Sequence, residues 1–366
     1  MRPISPRQFV LGFVSAIALF VLLHALTWQF AVRQLLQRED GIVTGNLARL
    51  GYISDLVHPR RTQVTLPKRH LEAGDLQDQC IDLLTIGDSF SNGGAGGPNP
   101  WYQDFIASRW GWNVLNLRGF PGLHNDMDLV RALLRAGLLQ EWGVRYVLLE
   151  STQYKIVSRY ADTPPPRGLP SRAALIAHYR FGEPQPIPDL LALPDVAWIN
   201  DGNIKHWWNR IMYHLDDCAF ISQACRTRLR ARRFSIGDGK DLLYTPGALR
   251  IVSRNNADAV QRMNNRLEAL ADELDRQGIG LIVMPVVTKY ELYRPDIAQG
   301  DYPPDPLFPH WRRLLHRFVL VDTQAILRQA IEAGELDTFY IDDSHWTPKA
   351  SAHVVDALGR LLGDDR

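Results

Sequence analysis

The strongest pattern along the chain is an unbroken apolar run near its start. From Phe9 to Val32 there is no Asp, Glu, Lys or Arg, and about 20 apolar residues suffice to cross a bilayer core. The run therefore predicts a transmembrane helix. It outlasts a signal-peptide core, and no small-x-small cleavage pattern follows, so an uncleaved signal-anchor is the preferred reading. Trp28 falls near the far end, where an interfacial aromatic belongs. Arg2 and Arg7 before the run nearly balance Arg33 and Arg38 after it, and the orientation taken is N-terminus inside.

Residues 33–79 are mixed and polar and read as a tether with one short helix. A repeating alternation then begins. Short apolar runs at Ile81–Gly87, Trp112–Leu117, Val144–Glu150, Ile279–Val287 and Phe318–Asp322 predict strands. Between them, helical spacing predicts helices over Trp101–Trp110, Asn125–Glu141, Asn255–Gln277, His310–His316, Gln324–Ala333 and Pro348–Leu362. In Asn255–Gln277 the apolar face is Ala257, Val260, Met263, Leu267, Leu270 and Leu274. Strands separated by helices predict an α/β fold whose parallel sheet is covered on both faces. The interval from about 155 to 250 breaks the pattern. It is rich in Pro (Pro164, Pro165, Pro166, Pro170, Pro184, Pro186, Pro188, Pro194), then in Trp (Trp198, Trp207, Trp208), and reads as an inserted cap, because strands of one sheet lie on either side of it.

Composition narrows the function classes. With 41 Lys+Arg against 40 Asp+Glu and 46% hydrophobic residues, the chain is too apolar for disorder and too neutral to bind nucleic acid through bulk charge. Three cysteines are too few for a disulfide scaffold. Cys218 and Cys225 bracket a short loop that an oxidising compartment would close as a disulfide; two buried thiols are the other reading, and Cys80 reads as a buried thiol on an apolar strand. Ten Trp are either core or sugar-stacking surfaces.

Candidate chemistry lies in two segments. Leu84-Thr85-Ile86-Gly87-Asp88-Ser89-Phe90-Ser91 places a serine just past a buried strand, in the crevice position where open α/β sheets put reactive groups. Ile341-Asp342-Asp343-Ser344-His345-Trp346-Thr347-Pro348 supplies a histidine behind two aspartates. A serine nucleophile needs a base, and the base needs a carboxylate to hold its tautomer. Helix capping explains Thr347 and Pro348, but not Asp-Ser-His-Trp.

These segments resemble the SGNH (GDSL-type) hydrolase superfamily. The DSHWTP string and the segment Val283-Met284-Pro285-Val286-Val287-Thr288-Lys289-Tyr290-Glu291-Leu292-Tyr293 are more narrowly similar to periplasmic SGNH-like proteins related to alginate O-acetyltransferase. The resemblance covers about residues 80–362 apart from the cap. It implies a three-layer α/β/α sandwich, with Ser89 as nucleophile, His345 as base and Asp343 as orienting acid, or Asp342 if an Asp-x-x-His spacing applies. It also implies oxyanion donors at the Ser89 and Gly119 backbone N–H groups. The superfamily's Gly-x-Asn-Asp block is replaced by Leu149-Glu150-Ser151-Thr152-Gln153, which makes Gln153 the candidate third donor. The alginate proteins carry Asp-x-His before the serine; here it follows.

What the resemblance implies is a membrane-anchored periplasmic O-acetyltransferase of the bacterial inner membrane, acting on a cell-surface or exported polysaccharide. Its acetyl donor would come from a membrane-bound O-acyltransferase partner. An esterase or deacetylase of the same fold and a non-catalytic glycan-binding scaffold are the alternatives. Trp346, Lys289, Tyr293, Trp207 and Trp208 are candidate substrate contacts. The basic run Arg226, Arg228, Arg230, Arg232 and Arg233 reads as a solvated face before an anion grip. Gly93, Gly94, Gly96 and Gly97 lack the Gly-Lys-Ser/Thr of a phosphate loop and read as a mobile rim beside Ser89. No metal-ligand spacing stands out, so neither metal nor cofactor is expected.

Overall fold

The computed structural model describes residues 5–37, 43–60, 63–183, 196–220 and 222–363. Arg2 and Arg38 of the flank count, and Pro184, Pro186, Pro188 and Pro194 of the cap, lie outside the described residues.

Helix α1 (Pro6–Thr27) starts at a capping box: the Ser5 hydroxyl accepts the Gln8 N–H, the Gln8 side chain accepts the Ser5 N–H, and Pro6 opens the helix. It runs through a wider turn at Trp28–Val32 into α2 (Arg33–Leu36). The helix Pro6–Leu36 is long and apolar enough to cross a membrane, and its most apolar stretch is almost wholly exposed. The ring of Trp28, expected as an interfacial aromatic, is turned inward and buried with His24, Thr27, Val32 and Leu35 where the helix meets the rest of the molecule.

The expected tether is not a tether. Residues 43–79 contain α3 (Asn46–Gly51) and the edge strand β1 (Leu71–Glu72). Their apolar residues are too sparse to show a period, yet Leu47, Ile53, Leu56 and Leu76 are buried in the core, and buried polar groups complete the hold. The sandwich then follows in order: β2 (Leu83–Ile86), α4 (Tyr102–Trp110), β3 (Val114–Leu117), α5 (Asp126–Arg135), α6 (Leu138–Glu141) and β4 (Tyr146–Thr152). The single helix expected over Asn125–Glu141 is two, parted at Gly137, whose φ of 71° is left-handed.

The interruption holds α7 (Gln153–Val157), α8 (Arg172–Tyr179), α9 (Asp201–Met212), an antiparallel hairpin of β5 (Cys225–Arg228) and β6 (Asp241–Tyr244), and α10 (Gly247–Arg250). Cys218 and Cys225 form a disulfide at the mouth of this hairpin. Cys80 is exposed and lies ahead of β2, not on a buried strand as expected. The basic run is tied down internally: Arg226 and Arg228 pair with Asp241, Arg233 pairs with Asp296, and Arg230 caps the carbonyls of Pro295 and Ile297.

After the cap the sandwich resumes with α11 (Ala257–Asp275), β7 (Gly280–Val286), α12 (Lys289–Tyr293), α13 (Leu307–Trp311), β8 (Val319–Leu320), α14 (Thr323–Glu332) and α15 (Pro348–Leu362). On α11 the expected face is buried except for Ala257, which sits exposed in the first turn. The main sheet has the order β1-β3-β2-β4-β7-β8, every pairing parallel. Helices α4, α14 and α15 pack together in one layer and α5 and α11 in the other. Because both faces are covered, β2, β3 and most of β4 and β7 are continuously buried, as parallel strands demand. The chain leaves β2 towards β3 on one side and returns through β4 on the other. The strand order thus reverses at β2, and crevices for ligands open at the carboxyl ends of strands at such a reversal.

Candidate active site

Ser89 follows β2 at this reversal. The loop after it is a series of turns up to Trp101 rather than a helix, and its shape is imposed from below by Glu150 of β4. Glu150 is completely buried; its Oε2 accepts the backbone N–H groups of Asp88 (2.9 Å) and Ser91 (3.2 Å) and the Ser91 hydroxyl (2.9 Å). Asp88 in turn accepts the N–H and hydroxyl of Thr152. Burial pushes the Glu150 carboxyl well up, and the charge of Asp88 beside it adds to this. Asp88 goes down despite burial, aided by Glu150 and the Thr152 N–H.

His345 sits on the loop before α15. Its Nε2 lies 2.7 Å from the Ser89 hydroxyl and its Nδ1–H donates to Asp343 Oδ1 at 2.6 Å. Asp343 Oδ1 also accepts the His345 backbone N–H at 3.0 Å, so the two residues lock each other's rotamers. With the proton held on Nδ1, the Nε2 lone pair faces the serine. Phe90 packs on the imidazole at 4.7 Å between ring centroids. Gly94 lies directly over the pair: a Cβ there would fall 2.7 Å from His345 Nε2 and 2.8 Å from Ser89 Cβ. The glycine segment expected as a mobile rim is thus, at Gly94, a close backbone cover that no larger residue fits.

Of the two aspartates, Asp343 touches the imidazole and Asp342 does not. Asp342 Oδ2 accepts the N–H groups of Gly45 (2.9 Å) and His58 (3.0 Å). Between the carboxylates lies the buried Arg60 guanidinium, 2.8 Å from Asp343 Oδ2 and 3.5 Å from Asp342 Oδ2. The Asn46 N–H adds a further donor to Asp343 at 3.1 Å. Burial pushes the Asp343 carboxyl up, but the adjoining His345 and Arg60 more than reverse this and hold it well below the usual carboxylate range. Burial raises Asp342 against the pull of Arg60. Arg60 was not singled out in the sequence, where it is one of a pair of arginines in a polar stretch with no motif around it.

Lys289 holds the same loop from the other side. Its ammonium donates to the carbonyls of Ile341 (2.7 Å), Tyr340 (2.8 Å) and Asp343 (3.2 Å). Burial pushes it down to about 7, against the opposing pull of Asp342 and Asp343. It brushes the cavity wall, yet its charge is spent on the histidine loop instead of pointing outward. Tyr293, the other strand-end candidate, is completely buried and accepts the Phe339 N–H, so it belongs to the packing. Trp346 is likewise core, edge-on to Phe90 at 4.9 Å. Trp207 and Trp208 lie on α9, away from the cavity at Ser89.

That cavity measures about 240 Å³ and is walled by Ser89 and Phe90, by Thr152 and Tyr154 at the end of β4, by Val286 to Tyr290 at the end of β7, by Asn46, Leu47 and Leu50 of α3, and by Tyr244, Thr245 and Ala248 of the cap. Gly119 is exposed past the carboxyl end of β3, the strand next to β2. Gln153 is turned away from the cavity: its carboxamide oxygen accepts the Thr288 N–H at 2.9 Å, and the wall on that side belongs to its neighbours.

With this geometry in view, comparison with known families adds one match. Residues 240–365 fit the model of an SGNH hydrolase-like domain, that of acetyltransferase AlgX. The matched stretch contains β6 to α15, with Lys289, Asp343 and His345; Ser89, Arg60 and Glu150 fall outside it. No curated protein matches the chain.

Proposed function

We propose, from the premise that residues 240–365 are an SGNH hydrolase-like domain of the AlgX acetyltransferase type, that the chain is a membrane-anchored O-acetyltransferase. It would carry an acetyl group through Ser89 to a hydroxyl of a cell-surface or exported polysaccharide, on the periplasmic side of a bacterial inner membrane. The observation that carries the reading is the relay from Ser89 Oγ through His345 to Asp343, at 2.7 and 2.6 Å.

In the first half-reaction Ser89 Oγ attacks the donor's acyl carbon while its proton passes to His345 Nε2. The tetrahedral oxyanion collapses, the donor's leaving oxygen or sulfur takes that proton, and an acetyl-serine ester remains. The backbone N–H groups of Ser89 and Gly119 are the proposed oxyanion donors. In the second half a sugar hydroxyl gives its proton to Nε2 and attacks the ester, and Ser89 recovers its proton from His345. Asp343, held ionised by Arg60, stabilises the imidazolium formed in both halves. By resemblance, the donor side would be served by a membrane-bound O-acyltransferase partner.

The test uses the full chain in detergent with a chromogenic acetyl ester. Ser89→Ala and His345→Ala are each expected to lower kcat by on the order of 10⁴ or more, with the fold intact by circular dichroism. Unchanged rates in both variants would overturn the assignment. Mass spectrometry of an added oligosaccharide then separates transfer, seen as acetylated sugar, from hydrolysis, seen as acetate alone.

A further inference from the structure

Helix α9 of the cap is amphipathic in the wrong sense for a water-soluble surface. Its buried residues are polar: Asn203, His206 and Asn209, together with Gly202. They bind backbone and side chains of the molecule, His206 Nδ1–H donating to the Tyr52 carbonyl at 2.8 Å and the Asn209 amide to the Gly51 carbonyl at 3.1 Å. The face turned outward is apolar: Ile204, Trp207, Trp208 and Ile211 are 59%, 51%, 45% and 57% exposed. Their spacing places them within an arc of roughly 100°. Arg210 stands exposed at one border of that arc and Lys205 at the other, where it pairs with Asp201 at 2.6 Å. In the turns just past the helix, Leu215 and Phe220 are also exposed, by 77% and 84%. Monomeric soluble surfaces rarely carry so contiguous an apolar patch.

The position of this face identifies its partner. Asn203 donates to His24 Nδ1 at 3.0 Å and the Trp207 indole to the Thr27 hydroxyl at 2.8 Å, so α9 is fastened to the last turns of α1. A bilayer core takes about 20 residues of helix; counted from Phe9, that thickness ends near Trp28, at the level of α9. The exposed apolar surface of α1 and the turn after it, which includes Leu23, Leu26 and Phe30, therefore adjoins that of α9. We propose that α9 lies in the headgroup layer of the bilayer that α1 spans, with Ile204, Trp208 and Ile211 dipping into the acyl boundary and Arg210 reaching lipid phosphates. The proposal rests on the reading of α1 as a membrane span. It turns a single-helix tether into a two-point mount that fixes which way the Ser89 cavity faces.

The test uses the full chain with Cys80→Ser, in which Cys218 and Cys225 are closed as a disulfide, reconstituted into phosphatidylethanolamine–phosphatidylglycerol vesicles. Nitroxide labels are placed singly at Ile204→Cys and Ile211→Cys, at Ile17→Cys within α1, and at Leu315→Cys, 93% exposed on the loop after α13. Retained ester hydrolysis shows that each labelled chain is folded. Collisions with oxygen and with a water-soluble nickel chelate report depth. The expected result is lipid-like access at Ile204, Ile211 and Ile17 and water-like access at Leu315. Water-like access at Ile204 and Ile211 with Ile17 still in lipid would overturn the proposal while leaving the span. Water-like access at Ile17 as well would overturn both. Shielding of Ile204 and Ile211 from both reagents, with spin–spin broadening, would overturn it in favour of a contact between two copies of the chain.

Discussion

Arg60 is the residue on which the acid side of the site turns. Removing it leaves two carboxylates buried side by side, a loss on the order of 3–5 kcal/mol. Arg60→Met is expected to destabilise the fold by about that amount in urea titration, and Arg60→Lys by less. Asp343 is depressed in the folded state, so its contribution is present above the ordinary carboxylate pKa and lost as pH falls through its folded value. Without Arg60 that value rises, so the acid-unfolding midpoint is expected to move to higher pH in Arg60→Met and less so in Arg60→Lys, which keeps a cation; an unmoved midpoint in Arg60→Met would contradict the role. Glu150 offers a complementary case. Because burial favours its neutral form, Glu150→Gln keeps an uncharged oxygen to accept the Asp88 and Ser91 N–H groups and should unfold near the wild-type midpoint. Glu150→Ala, which orphans the Asp88 and Ser91 N–H groups, is expected to lose about 1–3 kcal/mol. Ser89, His345 and Asp343, which the structure brings within hydrogen-bond reach of one another, stand out in the sequence because each belongs to a compact motif. Arg60 and Glu150 do not, because the groups they bind lie 283 and 62 positions away.

The strands and most helices were legible from periodicity, since burial on both faces writes a continuous apolar signature into β2, β3, β4 and β7. Segment 43–79 was not legible, because a two-residue edge strand leaves almost no pattern. What holds β1 is chemical. His70, just ahead of it, is buried and paired with Asp104 at 2.6 Å and Glu72 at 3.4 Å. Burial lowers the imidazole, but these two carboxylates carry it up to about 8 from 6.5. A raised pKa contributes stability fully below 6.5 that disappears as pH rises through about 8, here on the order of 2 kcal/mol. The melting-temperature gap between wild type and His70→Gln should accordingly narrow across that interval; a constant gap would remove the ion pair from the account. The cap hairpin has its own covalent hold. Cys218 and Cys225 are 7 positions apart, and closing so short a loop is worth about 2–3 kcal/mol. Cys218→Ser is expected to lower the unfolding midpoint accordingly, and wild type in reductant should match it.

At the scale of the whole molecule, the sequence divided into anchor, tether, sandwich and cap, whereas the structure shows these parts interlocked. Aromatic residues of the cap looked like sugar platforms, but the cavity at Ser89 has none of the cap's three Trp in its wall, and their exposure on α9 could only be seen once its buried face was known. A chain beginning at residue 80 would keep every motif recognised in the sequence and still lack Gly45, Asn46, His58 and Arg60. It is expected to turn over a chromogenic ester at least tenfold more slowly than one beginning at residue 43, and equal rates would refute the dependence. The same four residues close a circuit: Gly45 and Asp342 are 297 positions apart yet directly bonded. Contacts of such sequence separation form late in folding, so the relay is completed only when the two ends of the molecule meet. A half-folded chain would therefore hold Ser89 with neither His345 nor Asp343 in reach, and whatever chemistry the relay performs waits until the architecture is whole.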